Sequence, residues 1–232
     1  MPIINLVYEA PEQYTPRQPW ANTLGYRPLT TTTTRYDQSG NSRDFTIYGS
    51  ANFSTYDWVN CVLFTGEYRN NMYSIDITRG TLTGTQPFTY SYWLKVRNHN
   101  DQWIAWIIGI NNTQYANDKT MVTTASGKIS ATVGATTVEV PSFTVGTRSL
   151  YSLVFDGTTL KIYQNWTLMD SDTCAGTSDT STTLGLAWDD LYADPATSVD
   201  WYMSNLIIEN KAWTDTDISN YFNDTKETYG IS

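Results

Sequence analysis

The chain has 232 residues, with 23 acids against 14 bases, a net charge of −9 and a sequence pI near 4.4. Without a Lys/Arg cluster to displace counterions, this balance excludes nucleic acid or an anionic membrane as a partner through a basic face. Charged residues make up only 16% of the chain, and Thr, Ser, Asn and Tyr take their place, a composition that suits half-buried strands.

No stretch reaches the roughly 18 apolar residues of a membrane helix, so no membrane insertion is expected. The N-terminus, MPIINLVYEAPEQYTPRQPW, lacks a basic n-region and an apolar h-region, so no signal peptide is expected. Cys61 and Cys174 lack metal-site spacing and could form one bridge or stay as two buried thiols, the thiols being slightly favoured. The plain reading of the acidity is solubility, and the sharper one is calcium binding.

In chain order, residues 1–19 hold four prolines and read as an extended arm, with at most a short strand at Ile3–Tyr8. The arm would pack along the domain or reach a neighbouring subunit. The rest, 20–232, reads as one domain. Leu24, Tyr26 and Leu29 suggest a broken strand, Thr30–Thr34 a spacer, and Asp37–Asn41 a tight polar loop before Phe45, Ile47 and Tyr48. Short strands follow at Asn60–Phe64, Tyr73–Ile77 and Phe88–Arg97, the last being the longest clean alternation in the chain. Trp103–Ile110 is apolar on both faces and therefore central. Three modest strands are expected around Lys128–Val133, Thr137–Val140 and Ser142–Val145.

The clearest signal is at 147–169. Leu150, Ser152 and Val154 alternate with Tyr151, Leu153 and Phe155, Asp156-Gly157 supplies a turn, and Leu160 and Ile162 alternate on the return. A second turn at Gln164-Asn165 leads back through Trp166, Leu168 and Met169. A polar loop over 170–182, a strand at Leu184–Trp188, an acidic and aromatic loop at Asp189–Val199 and a last strand at Asp200–Glu209 complete the sheets. In that last strand, Tyr202, Leu206 and Ile208 are expected on one side. Thr214 can cap a short helix, DTDISNYFNDTKE, with Asp215 and Asp217 in its first turn, Ile218, Tyr221 and Phe222 as its stripe and Gly230 past its end.

The stretches DQSGNSRDF (37–45), FTYSYWLKVRN (88–98), LYSLVFDGTTLKIYQNWTLM (150–169) and SNLIIENKAWTDTDISNYF (204–222) stand in the order seen in the laminin-G-like, concanavalin A-like jelly-roll superfamily, which the chain resembles over about residues 22–222. Phe155-Asp-Gly replaces that family's Tyr-Asp-Gly, and Asn165-Trp its Asn-Gly. The resemblance implies an all-β fold: a two-layer antiparallel β-sandwich with one short C-terminal helix and the N-terminal arm. The arm and the Thr/Asn-rich composition also resemble tail and capsid-surface proteins of tailed bacteriophages.

Glycoside hydrolases of that superfamily need paired carboxylates in an E-x-D-x-x-E pattern. No glutamate here has an Asp two residues on, and Glu209 reads as a solvated rim residue. The single His99 lacks a nucleophile motif. No enzyme is expected, a hydrolase being the weakest alternative. Asp37, Asn41 and Asp44 are candidate calcium ligands, and Asp189, Asp190 and Asp194 form a second acidic set. The plainer reading of Asp37 and Asn41 is a closed polar turn.

Nine Trp and 17 Tyr exceed what one core needs. Trp93 is therefore expected to line a concave sheet, and Trp188, Tyr192 and Trp201 to bracket an exposed acidic loop with Asp189, Asp190 and Asp194. Indole faces stack on sugar rings while acids pair with hydroxyls, so this loop reads as a glycan site. The expected function is a non-catalytic virion adhesin or surface decoration, anchored to capsid or tail proteins by its arm and touching host-cell carbohydrate. The alternative is a purely structural decoration protein binding its neighbours. A homo-oligomer is left open, and the expected location is the virion surface.

Overall fold

The computed structural model describes residues 23–27, 39, 46–48, 52–64, 71–75, 84–98, 105–110, 119–125, 127–177, 183–186 and 200–231. Its strands are β1 (Thr23–Arg27), β2 (Thr46–Tyr48), β3 (Asn52–Tyr56), β4 (Val59–Phe64), β5 (Asn71–Ile75), β6 (Phe88–Asn98), β7 (Ala105–Ile110) and β8 (Lys119–Ala125). They continue with β9 (Lys128–Gly134), β10 (Thr136–Val140), β11 (Arg148–Phe155), β12 (Thr159–Gln164), β13 (Thr167–Thr173), β14 (Thr183–Leu186) and β15 (Asp200–Glu209). One sheet runs β13-β12-β11-β6-β15-β4-β3, with β1 also on β15, and the other runs β10-β9-β8-β7-β14-β5-β2. Every pairing in both is antiparallel. The fold is the expected two-layer sandwich with one short C-terminal helix; the N-terminal arm lies outside the described residues.

Period two decides which side chains meet between the layers. Phe88, Tyr90, Tyr92 and Leu94 of β6 and Tyr151, Leu153 and Phe155 of β11 face Ile129, Ala131, Val133, Val138 and Val140 of the second sheet. The opposite face of the first sheet is buried as well. Trp93, Leu150, Val154, Tyr163 and Ile207 form a second core with Trp213, Ile218, Tyr221, Phe222 and Tyr229. Helix α1 (Asp215–Thr225) and a 3₁₀ turn at Lys226–Tyr229 roof that face. Every residue of β11 is consequently buried.

Local chemistry fixes the helix start. Thr214 Oγ1 accepts from Asp217 N at 3.1 Å and Asp217 Oδ2 accepts from Thr214 N at 2.9 Å, a reciprocal capping box. At the first hairpin, Asp156 Oδ1 accepts from the N–H groups of Thr158 and Thr159 at 3.0 and 2.8 Å, and Gly157 takes φ 102°.

Several elements depart from expectation. Strand β8 and strand β3 carry no clean alternation and were not expected. Residues 142–145 are an irregular loop rather than a strand, and β13 extends to Thr173 through a stretch expected to be loop. The second turn falls one residue later than expected, at Asn165-Trp166, with Asn165 at φ 58°. In β15 the parity changes along the strand: Trp201 and Met203 face the main core, and so do Leu206 and Ile208. A bulge between Ser204 and Ile207, with Asn205 at φ 47°, makes that switch, so Tyr202 lies on the opposite face from Leu206 and Ile208. Glu209 is buried at 2% exposure rather than solvated, because its Oε2 accepts from Trp213 Nε1 at 2.6 Å.

Candidate functional site

Strand β4 meets β15 only at Val62–Phe64, since the C-terminal half of β15 is taken by β1. The start of β4 must therefore leave the sheet, and the β3–β4 hairpin folds over the outer face of the first sheet. Polar contacts to three strands pin it there. Arg148 Nη2 on β11 donates to Tyr56 O at 3.3 Å, Lys95 on β6 ion-pairs with Asp57, and Ser204 Oγ on β15 donates to Asn60 O at 3.0 Å. Lys95 Nζ stands 4.7 Å from the Tyr56 ring centroid, and Tyr56 stacks on Tyr202 at 4.3 Å and 14°. Val59 joins the second core beneath.

The two-residue tip is Asp57-Trp58, with φ 50° and 65°. Such a turn normally uses Asn-Gly or Asp-Gly, because both positions need positive φ. A bulky residue there is a backbone outlier, the kind of strain that collects at functional sites. Trp58 is also 86% exposed. The fold thus holds an indole in water on a stiff, anchored loop.

Around it lie groups of both signs. Arg97 Nη1 approaches Asp200 Oδ2 at 3.9 Å, and Thr55 Oγ1 donates to Asn60 Oδ1 at 2.6 Å. Burial lowers the Arg148 pKa, an effect opposed by Cys61, Asp57, Tyr229 and Tyr56. Burial likewise pushes the Cys61 thiol up to about 11, although Arg148 and the Tyr56 N–H hold it back. The cluster can stack a flat apolar face and hydrogen-bond polar groups around it. Among the described residues no group of three or more His, Cys, Asp or Glu could hold a metal ion.

The expected site is placed differently. Trp93 is fully buried, stacked on Tyr229 at 4.4 Å and facing Phe222 at 5.7 Å. Trp201 is a core residue stacked on Phe64 at 4.3 Å. Neither indole presents a face to a ligand: the surplus of aromatic residues is spent on a second core that the alternation alone does not reveal. Trp188, Asp189, Asp190, Tyr192 and Asp194 lie outside the described residues, as do the candidate calcium ligands Asp37, Asn41 and Asp44. Tyr56, Trp58, Lys95, Arg148 and Tyr202 were missed. The available signals were a Trp in a polar turn and a lone cation opening an otherwise apolar strand.

No family model matches the sequence, and no curated protein matches it. Solved structures do resemble it. The binding domain of Paraclostridial mosquitocidal protein 1 has 13% identity and a TM-score of 0.71, over 87% of this chain and 52% of that one. The binding domain of botulinum neurotoxin DC in complex with rat synaptotagmin II has 14% identity and a TM-score of 0.69, over 87% and 51%. The same domain in complex with SialylT has 13% identity and a TM-score of 0.70, over 88% and 51%. What they share with this chain is the fold. The chain spans about half the length of these solved chains.

Proposed function

We propose that this sandwich is a non-catalytic recognition module that binds cell-surface glycans through the β3–β4 hairpin, and that it does so on a virion surface, anchored by its N-terminal arm. The observation that carries the reading is Trp58, 86% exposed at φ 65° on a loop tied down from three strands. An exposed indole costs solvation and a positive φ costs strain, and a ring held still in water is what sugar stacking uses. The solved complexes of the botulinum neurotoxin DC binding domain with rat synaptotagmin II and with SialylT support the use of this fold in binding proteins. Weak single sites suit a particle that displays many copies. A glycan array probed with a multivalent form of the wild-type protein and of Trp58→Ala tests it: signal that drops at least tenfold in the variant is expected, and a flat wild-type array refutes it.

A second reading, packing against neighbouring virion subunits, is favoured by Trp166 and Leu168, which are 55% and 45% exposed beside α1. They make a small apolar patch of the kind found at protein interfaces. Trp166→Ser with Leu168→Ser would then abolish attachment to particles while leaving glycan signal intact.

A further inference from the structure

Resting on the glycan reading, a second observation at the same hairpin narrows the ligand class. Arg148 is only 7% exposed, yet among the described residues its guanidinium makes one hydrogen bond, the 3.3 Å contact from Nη2 to Tyr56 O. A guanidinium has five N–H donors in a rigid planar fork, and its best partner is a carboxylate taken with two parallel bonds. Among the described residues Arg148 has no carboxylate within ion-pair distance. Asp57, the acid of the hairpin tip, is held by Lys95 instead. A buried cation is normally paired, because desolvation penalises it. Here burial pulls against the charged form with only diffuse compensation from Cys61, Asp57, Tyr229 and Tyr56. Among the described residues, the cluster with Lys95 and Arg97 sets three cations against Asp57 and Asp200, on a chain of net charge −9.

We propose that Arg148 is the anion-reading residue of this site and that the ligand is an acidic oligosaccharide, its carboxylate received by the Arg148 fork while a sugar ring stacks on Trp58. The fork can take a carboxylate with two parallel bonds, and Lys95, already beside Asp57, adds attraction without direction.

Wild-type protein, displayed multivalently, is measured against matched oligosaccharides ending in glucose, in glucuronic acid, or in 6-sulfated glucose. The acid-ended series is expected to bind at least tenfold more tightly than the neutral one. Arg148→Met brings it down to the neutral level, and Arg148→Lys leaves it in between. Circular dichroism and thermal unfolding check that the variants fold; if they do not, the comparison of ligands on wild-type protein decides alone. Equal binding of neutral and acid-ended sugars that is lost in Trp58→Ala overturns the carboxylate assignment and keeps the glycan reading, as does a preference for the sulfated sugar. Failure to bind any of the three overturns both.

Discussion

Trp58 gives the sharpest quantitative test, because its backbone reverses an ordinary rule. At most positions replacing a residue with Ala leaves a more stable protein than replacing it with Gly, by about 0.5–1 kcal/mol, since Gly loses more chain entropy on folding. At φ 65° an L-residue instead carries a left-handed penalty of about 1–2 kcal/mol that Gly escapes. Both variants give up the same indole, 86% exposed, so whatever its contacts contribute cancels between them. The difference between them is therefore the left-handed penalty less the entropy term; with the middle of each range, about 1.5 less about 0.75, Trp58→Gly is more stable than Trp58→Ala by about 0.75 kcal/mol. Urea unfolding at fixed pH resolves this as a shift in midpoint without a change in slope, and in a thermal scan it is about 1–4 °C for a chain this size. If Trp58→Ala proves as stable as Trp58→Gly, the strained turn is not a property of the folded protein, and the argument for a stiffly presented indole falls with it. Both variants should lose glycan binding, separating the cost of the loop from its use.

Three further outcomes follow from other parts of the fold. Phe222 packs between Trp93 and Trp166 in the second core, so Phe222→Ala should cost about 3–5 kcal/mol in urea unfolding; a loss below about 1 kcal/mol would mean that α1 contributes little to the stability of the sandwich. For Asp156, burial raises the carboxyl pKa, but the N–H groups of Thr159 and Thr158, the Thr158 hydroxyl and Lys161 outweigh it, and the net shift is downward. A lowered folded value means that its stabilisation is complete above the ordinary carboxylate range and is lost as pH falls through the folded value, below about pH 4. Asp156→Asn should therefore flatten the stability profile in that acid range, and an unchanged profile would refute the assignment. Cys61 and Cys174 are buried and not joined in a disulfide, and burial raises the Cys61 pKa to about 11. Mass spectrometry after iodoacetamide at pH 8 should find neither labelled in the folded protein and both labelled after unfolding without reductant.

The architecture was legible where periodicity is strong. The Phe88–Asn98 alternation, the Asp156-Gly157 hairpin and the Thr214 cap all rest on chemistry confined to a few neighbouring residues, and all stand in the structure. What escaped depends on the rest of the chain. Alternation places Tyr202 with Leu206 and Ile208, but the bulge at Asn205 inserts a residue and reverses the facing, which no local pattern announces. Counting aromatics against one core suggested a surplus at the surface; the C-terminal helix and 3₁₀ turn create a second core that takes Trp93, Trp213 and Tyr229. The β3–β4 hairpin was missed because Asp-Trp is not a turn signal, yet both residues take positive φ there.

At one flank of the sandwich the rims of the two layers are stitched together. Asp170 Oδ2 on β13 accepts from Glu139 N on β10 at 2.9 Å, and Thr136 Oγ1 donates to Thr173 O at 3.1 Å. Both strands are outermost in their layers, and an outermost strand ordinarily offers its backbone to any passing chain. Here two of those groups, Glu139 N and Thr173 O, already have partners, which blunts that flank as a template for added strands. On that flank, contact with another chain would then run mainly through side chains.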